Sequence, residues 1–348
     1  MIRVAVIGIG AMGRNHVRVL TDLEGVKLAA VCDTDSEAVE SVGQKHDVPA
    51  YTSWDEMLER ETLDAVVVAV PTRFHLEAAL AVLARGRHVL VEKPIASDLE
   101  EGRRLVDSAR RANKVLAVGH IERFNPAVRE LKQRVARGEI GRMFQLQARR
   151  EGPFPARIRD VGVVIDLATH DIDVIDSTVG SRVQRLYAET ERRIHTERED
   201  ILNALLKFDT GALGVLQVNW LTPTKIRELS VLGERGMFVC DYLSQDLMYY
   251  KNAEFPPPTD ARRHARAVAE GEAIRFPIAQ TEPLRLELQA FLDAVRGERE
   301  IEVDGEAGLR ALHLALALVH SANESKVLDA RELDMLWRGH GPGGKQAA

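Results

Sequence analysis

Val4-Ala5-Val6-Ile7-Gly8-Ile9-Gly10-Ala11-Met12-Gly13 is the stretch that decides the fold of this chain. Four apolar residues read as a buried strand, and glycines follow at the spacing GxGxxG. The first glycine permits a tight turn, the second lets backbone approach a pyrophosphate, and the third lets helix pack on strand. Val17, Leu20 and Leu23 then share one helical face. Phosphate settles on the free N–H groups at such a helix start, where the dipole favours negative charge. Gly8, Gly10, Ala11, Met12 and Gly13 are therefore the expected cofactor seat. The next apolar run, Val26-Lys27-Leu28-Ala29-Ala30-Val31-Cys32, ends at Asp33. A carboxylate about 20 residues past the glycines can hold both ribose hydroxyls of an adenosine. It would repel a 2′-phosphate, and no arginine stands in Cys32-Asp33-Thr34-Asp35-Ser36, so NAD is expected over NADP. The plainer use of Asp33 is as a turn or capping acid, although Asp35 and Ser36 can do that work.

Outward from this unit the alternation continues. Leu63-Asp64-Ala65-Val66-Val67-Val68-Ala69-Val70 reads as a buried strand stopping at Pro71, and a helix carrying Leu76, Ala79, Leu80 and Leu83 follows. His88-Val89-Leu90-Val91 is the next strand, then a helix near 98–112, then a sixth strand at Lys114-Val115-Leu116-Ala117-Val118. Strands alternating with helices predict a doubly wound parallel sheet, a Rossmann domain spanning 1–121. Ligands of such sheets sit at the carboxyl ends of the strands. Pro71, Thr72 and His75 lie at one such end and can line the nicotinamide ribose, or His75 can be an ordinary first-turn residue. Glu92-Lys93-Pro94 lies at another. A fixed lysine loses about 2 kcal/mol of rotamer entropy, and proline ends the ladder for want of an N–H. Lys93 is read as pointing into a cleft, aimed by the Pro94 turn; the alternative is an ordinary solvated lysine.

After Asn125-Pro126 the period changes. A helix is expected over 126–137, then a series of alternating strands: 143–148, 183–188, 202–208, 212–218, 228–232 and 237–241. Gly211 and the Gly233–Gly236 segment mark hairpin turns. This is a largely antiparallel sheet, one face of which must be covered by helix or by another subunit. The substrate and oligomerisation domain is expected to run over 122–338, with 339–348 as a disordered tail. The segment 251–276, charged and proline-rich, reads as a long loop. Leu- and Ala-rich helices near 283–295 and 306–323 are expected to pack the two parts together.

One helix interrupts the strand series, Val163 to Asp176. Asp166 and His170 are four apart and share a face. Three uses are open. A surface Asp–His pair would contribute little. A metal site with Asp173 is disfavoured, because no second histidine is near. The third is an acid/base pair in which the carboxylate orients the imidazole and raises its basicity.

The whole chain has 348 residues, 45% hydrophobic and 29% charged, with net charge −6. That length suggests two domains, and interspersed charge argues against a nucleic-acid partner. Two cysteines far apart give no disulfide framework, so a reducing compartment is expected. No run of about 18 apolar residues spans a bilayer, and the chain starts directly as a strand. The expected setting is the cytoplasm.

With these residues in place, the chain resembles the glucose–fructose oxidoreductase / inositol dehydrogenase / MocA family of sugar dehydrogenases over nearly its whole length. The resemblance rests on Gly8-Ile9-Gly10-Ala11-Met12-Gly13, on Glu92-Lys93-Pro94, and on Asp166 with His170 in Asp166-Leu167-Ala168-Thr169-His170-Asp171. It implies an N-terminal Rossmann domain, a C-terminal α/β domain with an open sheet often used in homo-oligomer contacts, and NAD as cofactor, with Glu92 and Lys93 beside it. It also implies that Lys93, Asp166 and His170 meet at the nicotinamide. Within the family, Gly119-His120-Ile121-Glu122-Arg123-Phe124-Asn125-Pro126 and Arg149-Arg150-Glu151-Gly152-Pro153-Phe154-Pro155 are similar to the branch that oxidises the 3-hydroxyl of UDP-N-acetylglucosamine. Arg123, Asn125, Arg157 and Arg159 are the expected substrate contacts beside the three catalytic residues. Arg149 and Arg150 belong to the same basic cluster, which can serve a diphosphate or be a solvated loop. The chain departs from the family pattern at Thr72, where Asn is common, and before the Asp–His helix, where only Gly162 remains of a longer glycine run. Two other readings stay open: a dehydrogenase of a free sugar or inositol, and a non-catalytic NAD-binding regulator.

Overall fold

Apolar runs with no polar interruption need cover on both faces, and the first third of the chain supplies helices for both. A computed structural model describes residues 1–155, 161–194, 197–253 and 270–339. The chain divides into two units. In the first, β1 (Ile2–Ile7), β2 (Val26–Cys32), β3 (Ala50–Tyr51), β4 (Ala65–Val68), β5 (His88–Glu92) and β6 (Leu116–Gly119) form one parallel sheet in the order β3-β2-β1-β4-β5-β6. The order reverses at β1, so the crevice beyond its carboxyl end is the topological switch point where ligands bind. Helices α1 (Ala11–Thr21), α2 (Ser36–His46), α3 (Trp54–Arg60), α4 (His75–Ala84) and α5 (Leu99–Ala112) connect the strands. Their starts follow from local chemistry: Asp35, Ser53 and Asp98 each accept a hydrogen bond from a backbone N–H in the first turn of the helix they precede, which contributes about 1 kcal/mol per cap.

This unit is not one continuous piece of chain. Besides Met1–Phe124 it includes Thr281–Leu316 and the chain from Asp334 onward. The chain first passes between the units at Phe124–Asn125, against an expected cut at 121, and crosses between them again at Gln280–Thr281, Leu316–Ala317 and Leu333–Asp334. The reason is α8 (Pro283–Arg296): Leu284, Leu288, Phe291 and Leu292 lie in the same core cluster as Val4, Val17 and Leu20. Each such side chain contributes about 1.5–3 kcal/mol when fully buried. A helix read as belonging to the second part thus completes the first.

The second unit, Asn125–Gln280 with Ala317–Leu333, contains α6 (Pro126–Ala136), α7 (Thr169–Val179) and a sheet. Among the described residues its strands are β7 (Met143–Glu151), β8 (Val183–Glu191), β9 (Ile201–Phe208), β10 (Leu213–Asn219), β11 (Ile226–Gly233), β12 (Gly236–Asp241), β13 (Asp246–Lys251), β14 (Ala273–Arg275) and β15 (Leu328–Asp329). Their order is β14-β13-β12-β11-β7-β10-β9-β8-β15, antiparallel throughout except for β7 beside β10. The hairpin at Gly211 has φ +86°, which only glycine takes without strain. Alternation follows the pleat: Leu146, Ala148, Leu216 and Leu229 are fully buried on the face against which α6 and α7 pack. The expected tail 339–348 lies, from residue 340 on, outside the described residues. Most of the expected 251–276 loop does too, and its last residues form β14.

Candidate active site

In the first unit the glycine turn is built as its spacing requires. Gly8 has φ +92°, and a Cβ there would fall 2.5 Å from the Ala69 carbonyl oxygen. A Cβ at Gly13 would fall 1.8 Å from the Gly8 carbonyl oxygen, so α1 can pack this closely only with glycine. Gly10, by contrast, has open space where its side chain would be, and no acidic residue occupies the first turn of α1. Open backbone at a helix N-terminus without a competing carboxylate is a seat for a pyrophosphate. Asp33 stands at the end of β2, its Oδ2 accepting the Ile9 N–H at 2.6 Å and its Oδ1 the Asp35 N–H at 3.0 Å. An ionised carboxylate has about four lone-pair positions, so the pair of bonds orients Asp33 while leaving it able to accept ribose hydroxyls. These residues fit a dinucleotide.

Beyond β4, Pro71 stands just before a short 3-10 turn, Thr72–Phe74, and α4 begins at His75. His75 is 1% exposed, with Nδ1 2.8 Å from the Pro94 carbonyl oxygen and Nε2 2.9 Å from that of Val70. Both ring nitrogens are thus engaged by backbone carbonyls rather than presented to solvent. Glu92, also buried, accepts from His16 Nε2 at 2.8 Å and from the Lys93 N–H at 3.2 Å. Lys93 is partly exposed, and its peptide bond to Pro94 is cis.

Burial pushes the His75 imidazole below its ordinary 6.5, against the two carbonyls and Glu92, which act the other way. Burial by itself raises Glu92, but the hydrogen bond and charge of His16, together with Lys93, outweigh it and hold the carboxyl below its ordinary 4.5. Burial also lowers His88. In each case the folded chain binds fewer protons than the unfolded one, so stability rises with pH. It is lost as pH falls, below 6.5 through the histidines and below 4.5 through Glu92. The urea midpoint is therefore expected to drop between neutral pH and about pH 5, and His75→Gln should flatten that first part of the fall. An equal slope in parent and variant would contradict it.

In the second unit the Asp–His helix is not uniformly α. Val164–Ala168 forms a π-helical turn, and α7 begins only at Thr169. Such turns insert an extra residue per turn and occur often at functional sites. Asp166 lies in the π turn and His170 in the first turn of α7, each half-buried. Glu199 fixes the start: its carbonyl accepts the Val163 N–H at 2.9 Å and its Oε1 the Val164 N–H at 3.3 Å. A Cβ at Gly162 would fall 2.0 Å from that oxygen, so the single glycine before the helix makes room for Glu199. Behind His170, Asp171 is 1% exposed and takes two bonds from Arg150 on β7, from Nε at 2.7 Å and Nη2 at 3.1 Å. Among the described residues no group of three or more His, Cys, Asp or Glu is placed to hold a metal ion.

The basic cluster is dispersed. Arg150, expected either to serve a diphosphate or to lie in a solvated loop, is buried in its pair with Asp171. Arg149 pairs with Glu151, and its place on β7 puts it on the opposite face of the sheet from Arg150. Arg123 is buried and donates to the Glu302 carbonyl at 3.4 Å within the first unit. Asn125 is buried as the cap of α6, accepting from the Ala127 N–H and donating to the Tyr242 carbonyl. Arg157 and Arg159 lie outside the described residues. Sequence reasoning missed His16, Glu199 and the Arg150–Asp171 pair. A signal existed for two of them: a histidine on the apolar face of α1, and an aspartate on the apolar face of α7, must find partners when buried.

A doubly wound sheet with a dinucleotide turn at its switch point, joined to a second α/β unit with an open sheet, defines a two-unit dinucleotide-binding protein. The NAD-binding Rossmann model of the GFO/IDH/MocA oxidoreductase family matches residues 2–120, and that family's C-terminal domain model matches residues 128–239. UDP-N-acetylglucosamine 3-dehydrogenase of Acidithiobacillus ferrooxidans is 30% identical over 90% of this chain and 95% of its own length. Its solved structure superposes with a TM-score of 0.83 over 93% of this chain and 98% of that one. The WlbA dehydrogenase of Bordetella pertussis, solved with NADH and UDP-GlcNAcA, is 26% identical with a TM-score of 0.79, covering 94% and 98% of the two chains. Myo-inositol 2-dehydrogenase of Thermotoga maritima is 25% identical over 95% of this chain and 99% of its own. The chain belongs to the Gfo/Idh/MocA family. It is an NAD-dependent oxidoreductase acting on CH–OH groups of sugars or related polyols. No helix among its described residues is long and apolar enough to cross a membrane.

Proposed function

We propose that this chain oxidises a secondary hydroxyl of a nucleotide sugar to a ketone, with the 3-hydroxyl of UDP-N-acetylglucosamine as the first candidate. The observation that carries the reading is the joint presence of Lys93 after β5 and of Asp166 and His170 around one helical turn. The likeness to the Acidithiobacillus ferrooxidans enzyme, near full length on both sides, supports the sugar class. Bound NAD supplies the hydride acceptor. The carbinol proton must leave as the C–H bond breaks. His170, oriented by Asp166, takes that proton as general base. Lys93 donates a hydrogen bond to the same oxygen and stabilises the negative charge developing there. Pro71, Thr72, Glu92 and the glycine turn would hold the cofactor, and Arg157 and Arg159 remain the proposed substrate side, whereas the side chains of Arg123 and Asn125 are taken up by protein groups. A free sugar or inositol is the second reading, favoured by the engagement of Arg123 and Arg150 with protein groups rather than with solvent. NADH production scanned over UDP-sugars, glycosides and free polyols decides between them. Highest kcat/KM on UDP-N-acetylglucosamine is the expected result, and highest kcat/KM on a free polyol would reverse the order.

We also propose a homo-oligomer, formed through the outer face of the second unit's sheet. Register sets Met237, Leu232, Gln145, Leu213 and Lys207 in one cross-strand row and Val239, Ser230, Gln147, Val215 and Leu205 in the next. Two such rows with Lys207 as their single charge form a poor water-facing surface. The solution mass by light scattering should be a multiple of the 38.7 kDa chain; a monomer at micromolar concentration would contradict this. The reading places the protein in the cytoplasm, consistent with a chain whose two cysteines, Cys32 and Cys240, are buried and give no disulfide framework.

A further inference from the structure

We infer that His16 and His75 are positioning residues for Lys93, gripping the Lys93–Pro94 turn from its two flanks. The inference rests on the reading of Lys93 as catalytic. From one side, α1 sends in His16, which is fully buried, and its Nε2 meets Glu92 Oε1 at 2.8 Å. The second oxygen of the same carboxylate takes the Lys93 N–H at 3.2 Å. With a carboxylate at Nε2, that nitrogen carries the ring proton. From the other side, α4 sends in His75, whose Nδ1 meets the Pro94 carbonyl oxygen at 2.8 Å. Its Nε2 meets the Val70 carbonyl, one residue before Pro71. The turn is therefore tied to two elements that frame the cofactor seat: the helix that begins at the glycine turn, and the segment that leads into Pro71 and Thr72. Space for the first grip is reserved on β6, where a Cβ at Gly119 would fall 3.0 Å from Glu92 Oε2.

Two features argue that the grip serves geometry rather than stability. A buried hydrogen-bonded pair of polar side chains is often no more stabilising than apolar groups of the same shape. A buried ring that faces two carbonyls, with one N–H to offer when neutral, is a costly way to fill space. What both contacts do is fix where the backbone goes as it leaves β5, and with it the origin of the Lys93 side chain. Misplacement of a reacting group by about 1 Å can cost about 10²-fold in rate, so a turn held on both flanks bears directly on turnover.

The test compares His16→Leu and His75→Phe with His16→Gln and His75→Gln, whose amides can still donate to the same acceptors. Two readouts are taken: kcat, KM and NADH affinity with whichever sugar the enzyme turns over, and the pH profile of Lys93 acylation by an amine-reactive reagent, mapped by mass spectrometry. The second needs no sugar. The apolar variants should lose about 10²-fold in kcat with KM and NADH affinity near the parent's, and shift the Lys93 acylation profile. The Gln variants should recover most of both. An unshifted acylation profile in folded apolar variants would overturn the proposal, as would Gln variants as impaired as the apolar ones. If an apolar variant does not fold, the Gln variants decide: a parent-like acylation profile supports the proposal and a shifted one overturns it. A shifted profile in an enzyme that turns over no sugar would count against the functional reading alone.

Discussion

Lys93→Met is expected to lower NADH production by about 10²–10³-fold, while NAD binding stays near that of the parent. A positioned donor aimed at developing negative charge contributes about 10²–10³-fold, and this is what the substitution removes. The dinucleotide, by contrast, is held by the glycine turn, the N-terminus of α1 and Asp33, none of which the substitution touches. Methionine keeps the length of the side chain and its apolar stem, so the loss is of charge and donor, not of packing. The partner substitution His170→Asn should lower kcat in the same way without disturbing NADH affinity. Steady-state turnover together with a fluorescence titration of NADH checks both halves. Unchanged turnover in Lys93→Met would end the mechanism.

The largest effect on stability is expected at Arg150. Arg150→Met should destabilise the second unit by about 3–5 kcal/mol, because it leaves Asp171 charged, buried and stripped of a two-bond partner. The pair lies at 3% and 1% exposure, out of reach of water that would take the place of the lost bonds. It also joins β7 to α7 one residue from His170, so the variant should lose activity before it loses secondary structure. Removing both charges is a different experiment. Arg150→Met with Asp171→Leu replaces the ion pair by apolar groups, which is often neutral, and should recover much of the stability lost in the single variant. Urea unfolding followed by far-UV circular dichroism measures both. A single variant as stable as the parent would show that Asp171 is held mainly by other groups.

Much of this architecture is legible in the residues. The sheet of the first unit shows because its strands, such as Ala65-Val66-Val67-Val68, are apolar on both faces and its helices punctuate them at regular intervals. The strands of the second unit show because one face packs on helices, so buried apolar residues alternate with less buried, mixed ones along β9, β10 and β11. Hidden from such a reading are elements too short to carry a period: β3 and β15 have two residues each. Also hidden is the division of the chain, because α8 joins the first core through residues far away in sequence, such as Phe291 with Val4 and Leu20. At the candidate site, the residues of the glycine turn and Asp33 stand where spacing puts them. The π turn at Val164–Ala168 does not show, since nothing in Val164-Ile165-Asp166-Leu167-Ala168 distinguishes five-residue from four-residue bonding. Arg150 and Arg123 misled for a physical reason: clustering of basic residues along the chain says nothing about which face of a strand or turn each occupies. Arg149 and Arg150 are adjacent, yet the pleat sends them to opposite sides.

The most direct measurement is a crystal structure of this chain with NAD and UDP-N-acetylglucosamine bound. The account predicts the Lys93 amine and the His170 imidazole within hydrogen-bond reach of one and the same sugar hydroxyl, with Asp166 behind the ring. A sugar held with that hydroxyl out of reach of both side chains would contradict it.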